Sequence, residues 1–266
     1  MWTSLSAADY LCAGGQMTNL EGKLILVSGA SSGIGRETAT VLSKLGARLC
    51  LIARSEERLK QTQDQLSGAN HTLYPYDLED CDQIPSLIKT ICQTHGPLHG
   101  IVHSAGILQL MPVAGVNTKR FERTMRINVL AGIMLVRGLI QKECHQPGNA
   151  SAVLMSSTAA LIGSPGQSMY CASKGALVSF AKVAAVELAP QGVRVNCVAP
   201  AAVHSEMLDQ LKATVPAHHF EQMEKDHPLG FGTTLDIANA AAFLLGDTGR
   251  WITGTTLVVD GGVTAR

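Results

Sequence analysis

Short apolar runs, set apart by glycine-bearing or charged segments, constrain this chain more than anything else in it. Leu24-Ile-Leu-Val27 and Leu49-Cys-Leu-Ile-Ala53 are unbroken, and so is the run over 152–155 within a segment at 152–156. Further strands, some interrupted by polar residues, are expected over 71–76, 98–102, 193–198 and 256–259. Unbroken apolarity over so few residues is the pattern of strands buried on both faces, as in a parallel sheet. Helical patterns fill the intervals: from the first glycines through Leu45, a charged one to Leu66, one over 81–94, and longer ones over 121–144 and 168–189. Another covers 236–245, and in the 81–94 segment Ile84, Leu87, Ile88 and Ile91 share one face. Strict alternation of this kind predicts an α/β, doubly wound parallel sheet (a Rossmann fold) with right-handed crossovers.

The 266 residues suffice for one large core, and no repeat or linker divides them. One domain is expected over 17–266, with 1–16 as an N-terminal extension and Met17 a second possible start. Residues 205–227 read as an irregular helical insert.

Ligands of open α/β sheets lie at the carboxyl ends of the strands. The first strand runs into Ser28-Gly-Ala-Ser-Ser-Gly-Ile-Gly35 and then a helix. Gly29, Gly33 and Gly35 let the backbone turn tightly against a pyrophosphate, and the helix N-terminus offers free amides and a positive dipole end. The spacing is Gly-x-x-x-Gly-x-Gly, not the commoner Gly-x-Gly-x-x-Gly. Ser31, Ser32 and Ile34 belong to the same loop.

At the end of the second strand an acidic side chain would bond the ribose hydroxyls and repel a 2′-phosphate. Here Ala53 and Arg54 stand instead. Arg54, with Ser31 and Ser32 close in the loop, favours NADP(H), with NAD(H) possible; the other reading makes Arg54 a cap on the solvent edge of the strand.

Tyr170 and Lys174 are four residues apart at the start of a long Ala-, Val- and Leu-rich run, and on a helix they share a face. An ammonium beside a phenol favours the phenolate, so the tyrosine pKa is expected to fall from about 10 towards the working range. Ser157, thirteen residues earlier, ends a buried strand where a ligand is held.

Taken in order, Ser28-Gly-x-x-x-Gly-x-Gly35, Asp77, Ser104-Ala-Gly106, Asn128, Ser157, Tyr170-x-x-x-Lys174 and Pro200 resemble the short-chain dehydrogenase/reductase family. The resemblance spans about residues 20–262 and is narrower for the single-domain branch that includes 3-oxoacyl-carrier-protein reductases. It implies an NAD(P)-dependent enzyme moving hydride between a nicotinamide and a carbonyl or secondary alcohol. Tyr170 would be the general acid in reduction, and Lys174 would bind the nicotinamide ribose and lower the tyrosine pKa. Ser157 would hold the substrate carbonyl, and Asn128 would position a water in a proton relay. Asp77 and Leu78 would sit by the adenine, Ser104, Ala105 and Gly106 along the cofactor, and Val203 and Ser205 at the nicotinamide amide.

The chain departs from the family's pattern at several points. Ser28 replaces the usual threonine, and His103-Ser104 replaces a common Asn-Asn. Ala201 stands where glycine usually follows the proline. Pro228-Leu-Gly-Phe-Gly-Thr lacks the arginine often found after that glycine.

In this family the insert at 205–227 forms a substrate lid. Its Met207, Leu208, Leu211, Val215, Phe220 and Met223 suit a partly apolar ligand, or simply pack on the domain. His204, Gln167 and Leu108 are further pocket candidates.

Basic and acidic residues balance, 21 against 21, without a basic run, so no nucleic-acid surface is expected. No apolar stretch reaches the roughly 18 residues of a membrane span, and the first ten residues lack the pattern of a signal peptide. Seven scattered cysteines without Cys-x-x-Cys fit a reducing cytoplasm. The nine histidines show no metal spacing.

Excess apolar positions on the two long helices predict a homo-oligomer, a tetramer by resemblance. The expected activity is that of a ketone reductase of the 3-oxoacyl kind. The alternatives are an NAD-dependent dehydrogenase of a sugar, steroid-like or other small alcohol, and a non-catalytic NAD(P)-sensing module. A sugar-nucleotide epimerase would need a longer C-terminal domain.

Overall fold

The computed structural model describes residues 18–265, so the N-terminal extension expected over 1–16 lies outside the described residues. Its elements, in chain order, are β1 (Leu24–Ser28), α1 (Gly33–Lys44), β2 (Arg48–Ala53), α2 (Glu56–Gln63), β3 (Thr72–Pro75), α3 (Ile84–His95) and β4 (Gly100–His103). There follow α4 (Thr118–Met125), a π turn (Arg126–Leu130), α5 (Ala131–Leu139), β5 (Ala150–Met155), α6 (Ser168–Leu188) and β6 (Val193–Pro200). The chain ends with β7 (Val203–His204), α7 (Glu206–Lys212), α8 (Ala217–Lys225), β8 (Gly232–Thr233), α9 (Thr234–Leu245) and β9 (Thr256–Val259).

Seven parallel strands form one sheet in the order β3-β2-β1-β4-β5-β6-β9. The expected architecture is therefore the observed one. Alternate residues of each central strand feed the two faces, as the pleat requires. Leu24 and Leu26 of β1, with Cys50 and Ile52 of β2, pack beneath α3, α5 and α6. Ile25 and Val27, with Leu49 and Leu51, pack beneath α1 and α9. Burial on both sides is why these strands carry apolar side chains at every position instead of every second one.

The strand order reverses between β1 and β4, which opens a crevice at the carboxyl edge of the sheet.

The helix expected over 121–144 is three pieces instead of one. α4 gives way to the π turn, in which Ala131 N–H bonds to Arg126 O, five residues back. α5 then stops at Leu139, where the Gln141 side chain donates to Gly138 O and Pro85 O and so caps the helix end. Glu143 turns with φ at 66° and brings Cys144 inward, fully buried.

Smaller differences follow the hydrogen-bond ladder. β4 begins two residues later than expected, because Leu98 makes only an isolated bridge to His145. β6 continues to Pro200 through pairing with β9. The charged helix α2 ends at Gln63, short of Leu66.

The insert at 205–227 folds as α7 and α8. It is bracketed by the two-residue strands β7 and β8, paired Val203 with Gly232 and His204 with Thr233. Leu208 is buried, Leu211, Val215, Phe220 and Met223 are half-buried, and Met207 is exposed.

Candidate active site at the carboxyl edge of the sheet

A cleft of about 590 Å³ runs along the carboxyl ends of the strands, floored by the loops after β1, β2, β4, β5 and β6 and roofed by α7 and α8. Every residue singled out for cofactor binding lines it, from Gly29 and Ser31 to Val203 and Ser205. Ser157, Tyr170 and Lys174 line it too, and Asn128 does not.

The loop after β1 has the shape that its glycines permit. Gly29 sits at φ 70°, and a Cβ on Gly35 would lie 2.2 Å from Gly29 O, so the turn closes only without side chains. Gly33, at φ 49°, looks into the cleft, with only Ser205 Cβ within 4 Å of where its own Cβ would be. Ser32 makes no side-chain cap on α1, and the first turn holds no acid. Uncapped N–H groups and a positive dipole end thus face open space of the right kind for a pyrophosphate, and the residues present fit a dinucleotide.

Arg54 extends from the end of β2 on the cleft wall, exposed, with no ion pair or hydrogen bond among the described residues. Asp77 lies at the end of β3, its Oδ1 accepting Glu79 N–H at 3.0 Å, with Leu78 buried beside it. Ser104, Ala105 and Gly106 leave β4 along the floor, where Ser104 N–H donates to Ser28 O at 3.2 Å. A Cβ on Gly106 would stand 3.4 Å from both Asn128 Oδ1 and Lys174 Nζ, so this glycine makes room for two functional candidates.

One turn of α6 separates Tyr170 from Lys174. Tyr170 is half-buried against the cleft, and Ser157, whose Oγ donates to Pro200 O at 3.4 Å, lines the same cleft. Lys174 is buried, its Nζ donating to Met155 O at 2.7 Å and standing 5.4 Å from the centre of the tyrosine ring. Ser157 Oγ also accepts from Ala159 N–H at 3.1 Å.

The expected fall in the tyrosine pKa does not hold in this structure. Burial pushes the Tyr170 phenol up to about 12, and the Ser157 hydroxyl only partly opposes it. The same burial brings the Lys174 ammonium down from 10.5 to about 8. Desolvation is the larger effect for both groups, and the ammonium's hydrogen bond goes to the Met155 carbonyl.

The Asn128 side chain is engaged with neighbouring elements. Its amide donates to Ile107 O and Ser173 Oγ, both at 3.0 Å, and accepts Ile107 N–H at 2.8 Å. Ser173 Oγ passes the tie on to Tyr170 O at 2.8 Å. The side chain thereby ties the loop after β4 to α6.

The departures noted in the sequence also find their places. Ala201 is absent from the residues with positive φ, so alanine sits there without strain, and its N–H bonds to Val259 O. Phe231, where an arginine is often found, is the centre of a ring cluster with His204, Phe220 and His227. His204 therefore packs outside the cleft, whereas Gln167 and Leu108 line it. Residues that sequence reasoning passed over also reach the cleft, among them Met155, Ile162 and His227. Only tertiary packing brings them there, and no local spacing marks them.

Among the described residues no helix is long and apolar enough to cross a membrane, and no cluster of three or more potential metal ligands occurs.

The profile described as Enoyl-(Acyl carrier protein) reductase matches residues 29–264. The chain is similar to the 3-oxoacyl-[acyl-carrier-protein] reductase of Homo sapiens, 34% identical over 91% of this chain and 98% of that protein. It is similar to the enzyme of the same name from Rickettsia prowazekii, 34% identical over 93% of this chain and 99% of that protein. Among solved structures it resembles a dehydrogenase/reductase from Sinorhizobium meliloti 1021, with a TM-score of 0.82 at 30% identity over 92% of this chain and 96% of that one. A short-chain dehydrogenase/reductase from Serratia marcescens superposes with a TM-score of 0.85 at 25% identity, over 92% of this chain and 99% of that one.

Proposed function

Since the chain belongs to the short-chain dehydrogenase/reductase family and is an NAD(P)-dependent oxidoreductase acting on a carbonyl or secondary alcohol, we propose that it reduces a partly apolar ketone of the 3-oxoacyl kind with NADPH. The observation that carries this is the convergence of Ser157, Tyr170 and Lys174 on one wall of a cleft whose other end is an uncapped helix N-terminus.

A bound nicotinamide would supply the hydride. Negative charge then gathers on the substrate oxygen, and two hydroxyls are available to meet it, Ser157 Oγ as a donor and Tyr170 as the proton source. A phenol raised to about 12 keeps its proton until that charge develops. Lys174 makes the resulting phenolate bearable. Its ammonium stands 5.4 Å from the centre of the tyrosine ring, on the side where the negative charge would form. Asn128 keeps the tyrosine's segment of α6 in register through Ser173.

At the adenosine end Arg54 and the hydroxyls of Ser31 and Ser32 would hold a 2′-phosphate, and Asp77 and Leu78 would flank the adenine. At the other end Leu108, Ile162, Met207, Leu211 and Met223 give the substrate half of the cleft an apolar lining, and α7 and α8 act as the lid. The apolar side chains left outside on α6, Val183 at 56% and Val186 at 77% exposure, support assembly of the chain as a homo-oligomer, a tetramer in our reading.

The test is the absorbance of NADPH at about 340 nm with a panel of 3-oxoacyl thioesters, cyclic ketones and small alcohols. Turnover of the 3-oxoacyl members supports the reading. Oxidation of a sugar or small alcohol with NAD alone would replace it with the dehydrogenase alternative.

A further inference from the structure

His227 lies at the junction of the lid and the loop after β6, 7% exposed, with both ring nitrogens engaged by backbone. Ala202 N–H points at Nε2 across 3.4 Å, so Nε2 is an acceptor and carries no proton. The proton is therefore on Nδ1, which donates to Met223 O at 2.6 Å, in the last turn of α8. One neutral tautomer thus joins a lid helix to the peptide of Ala202. The next peptide is also held, since Gly232 N–H donates to Ala202 O at 3.1 Å. Phe231 keeps the ring edge-on, its centroid 4.9 Å away, and touches Phe220 of α8 and His204 of β7 through the same cluster.

Ala202 lies in the loop between Pro200 and Ser205, whose Ala201, Val203 and Ser205 line the cleft, as do Met223 and His227 themselves. From this geometry we infer that His227 is a positioning residue. It sets the loop after β6 for the nicotinamide end of the cofactor and couples that loop to the lid above the substrate. The inference rests on the oxidoreductase reading of the cleft. The physical reason is directional. The Nε2 bond fixes the loop, the Nδ1 bond fixes the lid, and a side chain that keeps one bond without the other separates the two effects.

His227→Gln places an amide oxygen near Nε2 and keeps an acceptor for Ala202, whereas His227→Asn places an amide N–H near Nδ1 and keeps the donor for Met223 O. His227→Phe keeps the packing and neither bond. NADPH binding is measured by fluorescence titration without substrate, with kcat, KM for the ketone and thermal stability recorded alongside. The expected result is that Gln leaves the NADPH Kd within about twofold of the parent, while Asn and Phe weaken it about three- to tenfold, the effect of one lost hydrogen bond. Gln is expected to raise KM for the ketone through the lid, with the NADPH Kd little changed. In the parent, nitrogen-15 histidine spectra are expected to show the Nδ1–H tautomer. Equal NADPH affinity in all three variants, or equal losses tracking thermal stability, would overturn the inference. A parent protein that binds no nicotinamide nucleotide at all would instead overturn the reading of the cleft.

Discussion

Ser28 Oγ and His103 Nδ1 lie 2.9 Å apart at the carboxyl ends of adjacent strands β1 and β4, both fully buried. These are two of the positions where the chain departs from the family's usual residues, and the structure brings them into contact. A third residue is fitted to them. A Cβ on Gly132 would stand 2.7 Å from His103 Cδ2, so only glycine leaves room for the imidazole. The substitutions are thus one packing unit behind the cleft.

That unit gives the protein an acid-sensitive element. Burial, helped by the Lys174 charge, brings the His103 pKa down from 6.5 to about 3. A group whose folded-state pKa is depressed contributes stability above its unfolded pKa and loses it as pH falls towards the folded one. Stability is expected to fall by up to about 1.4 kcal/mol per pH unit below about pH 6.5, or about 2 kcal/mol by pH 5. Asp236 and Asp260 are held below the ordinary carboxylate value of 3.8, so they act only at lower pH. His99, also lowered by burial, adds to the same window. His103→Asn is therefore compared with the parent by urea unfolding, and the variant is expected to show the shallower slope between about pH 6.5 and pH 5. Equal slopes would mean that His103 takes up its proton without unfolding.

Removing the phenol alone tests the proton donor. Tyr170→Phe keeps the ring beside Lys174 and deletes only the hydroxyl. Turnover is expected to drop by about 10²- to 10⁴-fold with NADPH affinity nearly unchanged. Near-normal kcat in the variant would take this tyrosine out of the chemistry.

The strand ends were legible in the sequence because each is a local pattern. A short apolar run such as 24–27 followed by Gly29, Gly33 and Gly35 determines both where β1 stops and what its end does. Tyr170 and Lys174 were legible for the same reason, through one turn of helix. What resisted reading depends on contacts distant in the chain. The tyrosine pKa moved opposite to expectation because burial of the phenol outweighs its favourable neighbours, while Lys174 Nζ donates to the Met155 carbonyl, nineteen positions earlier. The ties of Asn128 to Ile107 and Ser173, on two other elements, are likewise invisible in local spacing. The π turn at Arg126–Leu130 shows no signature in the run of apolar residues that passes through it.

Assembly is tested on α6. Val183 and Val186 are 56% and 77% exposed in the single chain, an unusual cost for two valines on one helix. Light scattering is expected to return a multiple of 28.1 kDa at micromolar protein, and Val186→Glu to reduce that mass. A monomer mass for the parent would remove the oligomer.

Coenzyme choice turns on the end of β2. A 2′-phosphate carries close to two negative charges, and Arg54 is the cation without a protein partner on that wall of the cleft among the described residues. Arg58, one turn further, is already held by Glu206 of α7 at 2.5 Å. Ser31 and Ser32 line the same end, and Ala53 presents no carboxylate to repel the phosphate. A hydrogen bond to a charged group is worth roughly 1.5–3 kcal/mol, about one to two decades in affinity. The parent is therefore expected to prefer NADPH by about that margin in kcat/KM. Ala53→Asp combined with Arg54→Ala removes the cation and introduces an acceptor for the ribose hydroxyls, and is expected to reverse the preference towards NADH. Arg54→Ala alone should weaken NADPH and leave NADH nearly unchanged, since only the phosphate is lost as a partner. A parent enzyme that already favours NADH would make Arg54 a solvent-facing cap on β2 and nothing more.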